Sequence, residues 1–155
     1  MQRKEFLKKE DAQDASKLVV GIAVADFNPD ITGGLLEGAM AALKEWGVKE
    51  KNISIRRVYG SFDLTYACDL LLRRKKMDAV VALGCIIKGE TDHDKHIASA
   101  VFNGLTALTI AHGKPVSLGI LTTNDLAQAK ARSRGKTNHG EKAAVAALRA
   151  ALLQK

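Results

Sequence analysis

The chain has 155 residues and a formal net charge of +7, from 24 Lys and Arg against 17 Asp and Glu. Its 46% hydrophobic and 26% charged residues are ordinary for a globular domain and exclude a disordered chain. No apolar run reaches the ~20 residues that span a bilayer. The charged opening MQRKEFLKKEDAQDASK has no apolar stretch of the secretory kind, so the expected location is the cytoplasm.

Residues 1–16 precede the first structural signal and are expected to be a flexible tail or an arm that pairs with a neighbouring subunit; residues 17–155 form one domain. LVVGIAV (18–24) is an apolar strand. From Ile31 to Trp46, Ile31, Leu35, Leu36, Ala39, Leu43 and Trp46 recur at helical spacing, and Gly47 is placed to end the helix. ISIRRVY (53–59) reads as a strand nearer an edge because of its two arginines. Leu64, Ala67, Cys68, Leu71 and Leu72 line one face of the next helix, which stops in the basic run 73–76. The Val-rich stretch 79–85 reads as a central parallel strand covered on both faces. Ile97, Val101, Leu105, Leu108 and His112 mark a longer helix ending at Gly113, and Pro115 opens the strand PVSLGIL. Asn124 is the expected N-cap of a short helix through Gln128 and Arg132; an Ala- and Leu-rich helix runs from about 140 to 153. Strands alternating with helices imply a parallel sheet with helices on both faces, and the expected α/β architecture is a flavodoxin-like three-layer sandwich of four strands in order 2-1-3-4.

Each strand is followed by a loop with ligand-binding character: ADFNPD (25–30), YGSFD (59–63), GCIIKGETDH (84–93) and TTND (122–125). In an open α/β sheet all four lie at one end, where ligands bind. Turns are polar for ordinary reasons too, but Phe27 and Phe62 in two separate loops suggest a wall for a flat ring. Lys88 to Thr91 precede a helix start, where backbone N–H groups and the helix dipole favour an anion. No GxxxxGK[ST] or GxGxxG is present, so neither a P-loop nor a dinucleotide fingerprint accounts for this loop. His93 is the best general acid/base candidate among four histidines, a solvated helix-start residue being the alternative. His112, at a helix end, reads as structural.

Cys68 and Cys85 fall in a helix and a buried strand, so two reduced core thiols are expected, and the pair is too sparse for a zinc framework. The cations form separate runs (56–57, 73–76, 130–136) with no interleaved aromatics and no nucleic-acid motif, so no specific nucleic-acid site is expected.

With these loops in view, the sequence resembles the lumazine synthase family over about residues 18–150. The family pattern G-x-x-[IV]-x-G-x-T-x-H stands here as GCIIKGETDH. P-V-x-x-G-[IV]-L-T with a following Q-A-x-x-R helix stands as PVSLGILT and QAKAR, the G-[AS]-F-[ED] turn as GSFD, and the first-loop F-N as Phe27 and Asn28. The resemblance implies a cofactor-free, metal-free condensation in riboflavin biosynthesis. 5-Amino-6-(D-ribitylamino)uracil would join 3,4-dihydroxy-2-butanone 4-phosphate, releasing phosphate and two waters to form 6,7-dimethyl-8-ribityllumazine. By position, Phe27 would stack on the pyrimidine. Ser61, Phe62 and Asp63 would hold the ribityl chain and part of the ring, and Cys85, Ile86 and Ile87 would line the pyrimidine pocket through backbone groups. Glu90 and Thr91 would meet the butanone phosphate, and His93 would shuttle protons. Leu118 and Arg132 of an adjacent subunit would flank the ring and pair with the phosphate.

The chain departs from the family pattern in several places. Tyr59 and Thr65 stand where prolines are common, Asp63 where a glutamate is, Leu118 and Asp94 where aromatics are frequent, and His139 in the place of a lysine; the segment after Arg132 is about one residue short. The family also implies a homopentamer, with a shell of twelve pentamers as a compatible higher assembly and riboflavin synthase as a candidate partner. Two other readings compete with the enzyme. One is a non-catalytic binder of a flavin-like ligand, or a shell-forming scaffold, on the same fold; the other is an anion- or nucleic-acid-binding module driven by the basic charge.

Overall fold

Strands and helices alternate along residues 11–155, the part of the chain that the computed structural model describes. They are β1 (Val20–Ala25), α1 (Pro29–Glu45), β2 (Ile53–Val58), α2 (Leu64–Leu72), β3 (Ala79–Ile87), α3 (His93–His112), β4 (Val116–Thr123), α4 (Leu126–Arg132) and α5 (His139–Leu152). The sheet is parallel with order β2-β1-β3-β4, as the strand–helix alternation predicts. Most of the expected N-terminal arm lies outside the described residues. Ala15, within that stretch, is buried and donates its N–H to the Trp46 carbonyl at 2.8 Å.

The two central strands show why the order is this one. Every side chain of β1 and all but the last of β3 are buried, so both need cover on each face. Val20, Ile22 and Val24 point into one cluster with Leu35, Leu43, Trp46 and Leu148. Ala23 and Ala25 point into a second cluster with Leu64, Leu71, Val101 and Leu105. Thus α1 and α5 cover one face and α2 and α3 the other. Strand β2 exposes Ile55, Arg56 and Arg57, as an edge strand does.

Local chemistry sets the boundaries. Helix α1 begins at Pro29, two residues before the expected start, because Pro fits the first helical turn. It ends in a Schellman turn: Gly47, at φ 85°, donates to Lys44 O at 3.0 Å, and Val48 donates to Leu43 O at 2.9 Å. Strand β3 runs on to Ile87, since the ladder with β4 continues to the Ile87–Thr123 pair. The N-cap of α4 is Asp125, not Asn124: the Asp125 carboxylate accepts the Gln128 N–H at 2.8 Å. Asn124 lies one residue earlier, and its N–H donates back to Gln128 Oε1 at 2.9 Å.

Helices α1 and α5 approach closely because Gly140 has no side chain; a Cβ there would run into the backbone of Leu35. Asn138 ties the junction, donating to Gly34 O at 2.9 Å and Ser133 O at 3.0 Å while capping Gly140 N at 2.8 Å. On the other face, Asp69 of α2 accepts from His112 Nε2 at 2.9 Å and from Arg73 Nε at 2.8 Å, so His112 is structural as expected.

The hydrogen bond from His112, helped by Arg73, holds the Asp69 carboxyl below the usual carboxylate range. A depressed folded-state pKa stabilises the fold above the unfolded value and is lost as pH falls through the folded one. Asp69→Asn is therefore expected to lower the urea midpoint at neutral pH and to flatten its decline below about pH 4, where the wild-type carboxylate takes up its proton. Equal midpoint shifts at pH 7 and pH 3 would contradict this linkage.

Candidate active site

The loops after β1 and β2 are knitted together by the backbone. Asp26 N–H donates to Val58 O at 2.8 Å and Phe27 N–H to Tyr59 O at 2.9 Å, which carries the β1–β2 pairing past the strand ends. This brings the Phe27 and Tyr59 rings to 6.3 Å between centroids at a 53° tilt. Phe27 (58% exposed), Tyr59 (80%) and Phe62 (65%) leave a large aromatic surface open at this end of the sheet. The Arg57–Asp26 ion pair beside them, at 3.0 Å, is exposed on both sides and contributes little to stability.

Asn28 links this loop to the centre of the sheet. It is the one described non-glycine residue with positive φ (62°), a conformation that Asn tolerates better than most residues. Its side-chain amide donates to the Cys85 carbonyl at 3.3 Å, and its own carbonyl receives the N–H groups of Ile31 and Thr32. Phe27 is thereby held beside the carboxyl end of β3. The role of Asn28 is not legible from residue type alone; the one signal for it in the chain is an Asn before Pro at a strand–helix junction.

Gly84 makes room for the second loop. A Cβ at Gly84 would lie 2.7 Å from Ser61 Oγ, so β3 lacks a side chain where the buried Ser61 sits. Phe62 points outward. Asp63 Oδ2 accepts the Gly60 N–H at 3.1 Å, committing one carboxylate oxygen to the turn and leaving the other for a ligand.

At the end of β3, Cys85 is buried on the α1 face and Ile86 on the α2–α3 face, while Ile87 is half-buried. Burial pushes the Cys85 thiol up to about 11 and the Cys68 thiol up to about 12, so neither is a nucleophile at neutral pH. Cys85 therefore offers the site its backbone, one lone pair of which the Asn28 amide already takes. Lys88, Gly89, Glu90, Thr91 and His93 are all exposed. Thr91 Oγ1 accepts the His93 N–H at 3.3 Å, fixing the start of α3, and the His93 imidazole is open to solvent. Asp94 follows it, with one carboxylate oxygen buried and without a hydrogen-bond partner among the described residues.

Two of the expected residues stand apart from this cluster within the chain. Leu118 pairs in register with Ala82, five residues before Ile87, about 16 Å down the sheet. It is half exposed on the rim of a groove of about 260 Å³ formed with Phe102, Leu105, Thr109, Ile110 and Val116. Arg132 ends α4 and turns back to donate to Gln128 O at 3.0 Å. Its helix packs through Ala129 into the α1–α5 cluster, on the opposite face of the sheet from α3.

The model of the 6,7-dimethyl-8-ribityllumazine synthase family matches residues 17–155, spanning all four strands and every loop described above. The chain belongs to the 6,7-dimethyl-8-ribityllumazine synthase family. It is 42% identical over 137 residues to the 6,7-dimethyl-8-ribityllumazine synthase of Parabacteroides distasonis, covering 88% of this chain and 86% of that one. It is 43% identical over 139 residues to that of Porphyromonas gingivalis, covering 89% and 86%. With that of Christiangramia forsetii it shares 40% over 149 residues, covering 95% and 89%. The family match and these relatives favour an enzyme over a non-catalytic scaffold.

Asn28 is expected to be structural for the site. Asn28→Ala should destabilise the protein by about 1–2 kcal/mol, through left-handed backbone strain and the lost bond to Cys85. Asn28→Gly should restore the backbone share only. Thermal unfolding of the three proteins checks this, and an alanine variant as stable as wild type would count against the strained link.

Proposed function

We propose that this chain catalyses the lumazine synthase condensation, and that Phe27, Ser61–Asp63, Cys85–Ile87, Glu90, Thr91 and His93 form one half of its active site. The single observation that supports it best is the gathering of three loops around the end of β3 in a chain of this family. Those loops carry exposed aromatics, polar side chains and an accessible imidazole.

The residue types suit the reaction. Phe27 offers a face for the pyrimidine ring, and Phe62 and Asp63 border the ribityl chain. Backbone groups of Cys85 to Ile87 give the ring edge fixed donors and acceptors. Glu90 and Thr91 sit before the N-terminus of α3, whose dipole favours a phosphate. Amine addition to the ketone, water loss to an imine, phosphate departure and ring closure each move protons, and His93 is the group able to exchange them near neutral pH. Holding the two reactants in one crevice supplies much of the remaining acceleration.

The other half of the site comes from a neighbour. What supports this is that Leu118 and Arg132 lie away from the His93 loop within one chain, together with two apolar surfaces at opposite edges of the sheet. One edge exposes Ile55, Tyr66 and Leu70 near β2; the other exposes Ile110 and Leu118 beside β4. Unlike surfaces on opposite edges make head-to-tail contacts, which close into rings. A homopentamer is the ring we propose. Arg132 of one subunit would pair with the substrate phosphate bound to the next, its planar fork matching the phosphate oxygens. The short α4–α5 connection is compatible with a shell of twelve pentamers, and riboflavin synthase, which consumes the product, is the partner such a shell would serve. Two free, buried thiols fit a cytoplasmic location.

Mixing both substrates with the protein and following lumazine fluorescence tests the activity directly; absence of product would leave the scaffold reading. His93→Ala should lower kcat by about 10²-fold with assembly unchanged. Arg132→Ala should raise KM for the phosphorylated ketone by about tenfold or more and spare that for the pyrimidine. Leu118→Asp should break the ring, so that light scattering reports monomers. A variant that keeps the wild-type mass would remove this face from the contact.

A further inference from the structure

Cations that are separated along the sequence are gathered by the fold. Each helix of a parallel α/β unit runs back to the amino ends of the strands, so the turns after α1, α2, α3 and α5 meet at the pole opposite the candidate active site. There the run Arg73, Arg74, Lys75, Lys76 follows α2, and Lys49 and Lys51 precede β2. Arg74 Nη1 donates to Ser54 Oγ of β2 at 2.6 Å, which sets the two segments side by side. Lys114 joins them, donating to Leu72 O at 3.2 Å and Arg74 O at 3.1 Å.

The nearby carboxylates do not cancel this charge. Asp69 is engaged by His112 and Arg73, and Asp78 by the Val19 N–H and Lys155. Lys49, Lys51, Lys75 and Lys76 are exposed and have no acidic partner among the described residues, with Glu50 as the one carboxylate between them. At the active-site pole, by contrast, Asp26 and Asp92 in the loops and Asp30 and Asp94 in the first helical turns alternate with cations, Arg57 pairing with Asp26 and Lys95 with Asp92. The fold therefore sets Lys49, Lys51 and the run 73–76 together at the pole away from the candidate substrate loops, apart from the basic run 130–136 of α4 and the turn after it.

We propose that this pole is a docking surface for the phosphate backbone of a nucleic acid, bound without base recognition. The ammonium groups of Lys49, Lys51, Lys75 and Lys76, with Arg73 held on Asp69 and Arg74 on Ser54 beside them, match a run of phosphate oxygens. No exposed aromatic stands within the run 73–76 or beside Lys49 and Lys51 to stack on bases, so the contact carries no sequence preference. A membrane surface fits less well, because Met77 in this turn is 2% exposed and the exposed apolar residues beside it, Leu70 and Ile55, belong to the edge proposed to meet a neighbouring subunit.

The test is fluorescence anisotropy of a short labelled DNA duplex with the intact protein, titrated from about 50 to 200 mM salt, with anionic phosphatidylglycerol vesicles as a parallel arm. Four engaged cations give an expected slope of log K against log salt of about −3 to −4. Lys75→Glu with Lys76→Glu should bring the slope closer to zero by about 2 and weaken binding at least tenfold at low salt, with unchanged circular dichroism and lumazine formation. The charge-matched pair Lys130→Glu with Lys136→Glu, on α4 and the turn after it, should bind as wild type. The proposal is overturned if the duplex does not bind at the lowest salt, if the Lys75/Lys76 variant binds as wild type, if the Lys130/Lys136 variant loses as much, or if only vesicles are bound.

Discussion

The double-sided burial of β1 and β3 is the constraint on which the rest of the molecule depends. A strand covered on both faces satisfies its backbone only by pairing along both edges, and here that pairing is parallel. Parallel pairing brings the carboxyl ends of all four strands to one pole. Every loop that carries chemistry consequently lies at one pole, and the C-termini of α1, α2, α3 and α5 lie at the other. The separation of reactive loops from basic turns is a product of topology and not of any local signal.

Within that frame the site rests on two small accommodations in β3. Gly84 leaves space for Ser61, and the Cys85 carbonyl receives the Asn28 amide. The first seats the β2–α2 turn against the sheet; the second anchors the β1–α1 loop at a backbone conformation that few side chains adopt. Phe27 and Phe62 are then held outward by backbone geometry, and their exposure in the isolated chain is what a surface awaiting a ring-shaped ligand and a neighbouring subunit requires. The buried thiols, both raised by desolvation, take no part beyond packing.

A single chain gives only part of the expected machinery. Leu118 looks out from a groove on the α3 side of β4, while Arg132 stands on a helix packed over the opposite face. Neither is positioned by its own chain to meet His93, and exposed apolar side chains line both edges of the sheet. Asp94 fits the same picture, since its buried, unpaired oxygen stands at the first turn of α3, beside the loops that carry the site.

Much was legible in the residues alone. Apolar runs and helical spacing determined the alternation of elements, and hence strand order and the end of the sheet where function collects, because burial patterns follow periodicity. The histidine loop and GSF turn were readable because their residue types are chemically unusual for turns. The cap of α4 falls one residue later than expected, since Asn124 and Asp125 are both good caps and only the packed geometry chooses which carboxamide or carboxylate meets Gln128. What tertiary structure alone decided was proximity: Asn28 to Cys85, Asp69 to His112, Asn138 to Gly34, and the convergence of Lys49 and Lys51 with the run 73–76. Those contacts join residues far apart in the chain, and a one-dimensional pattern holds no record of which loops a folded sheet brings within hydrogen-bonding reach.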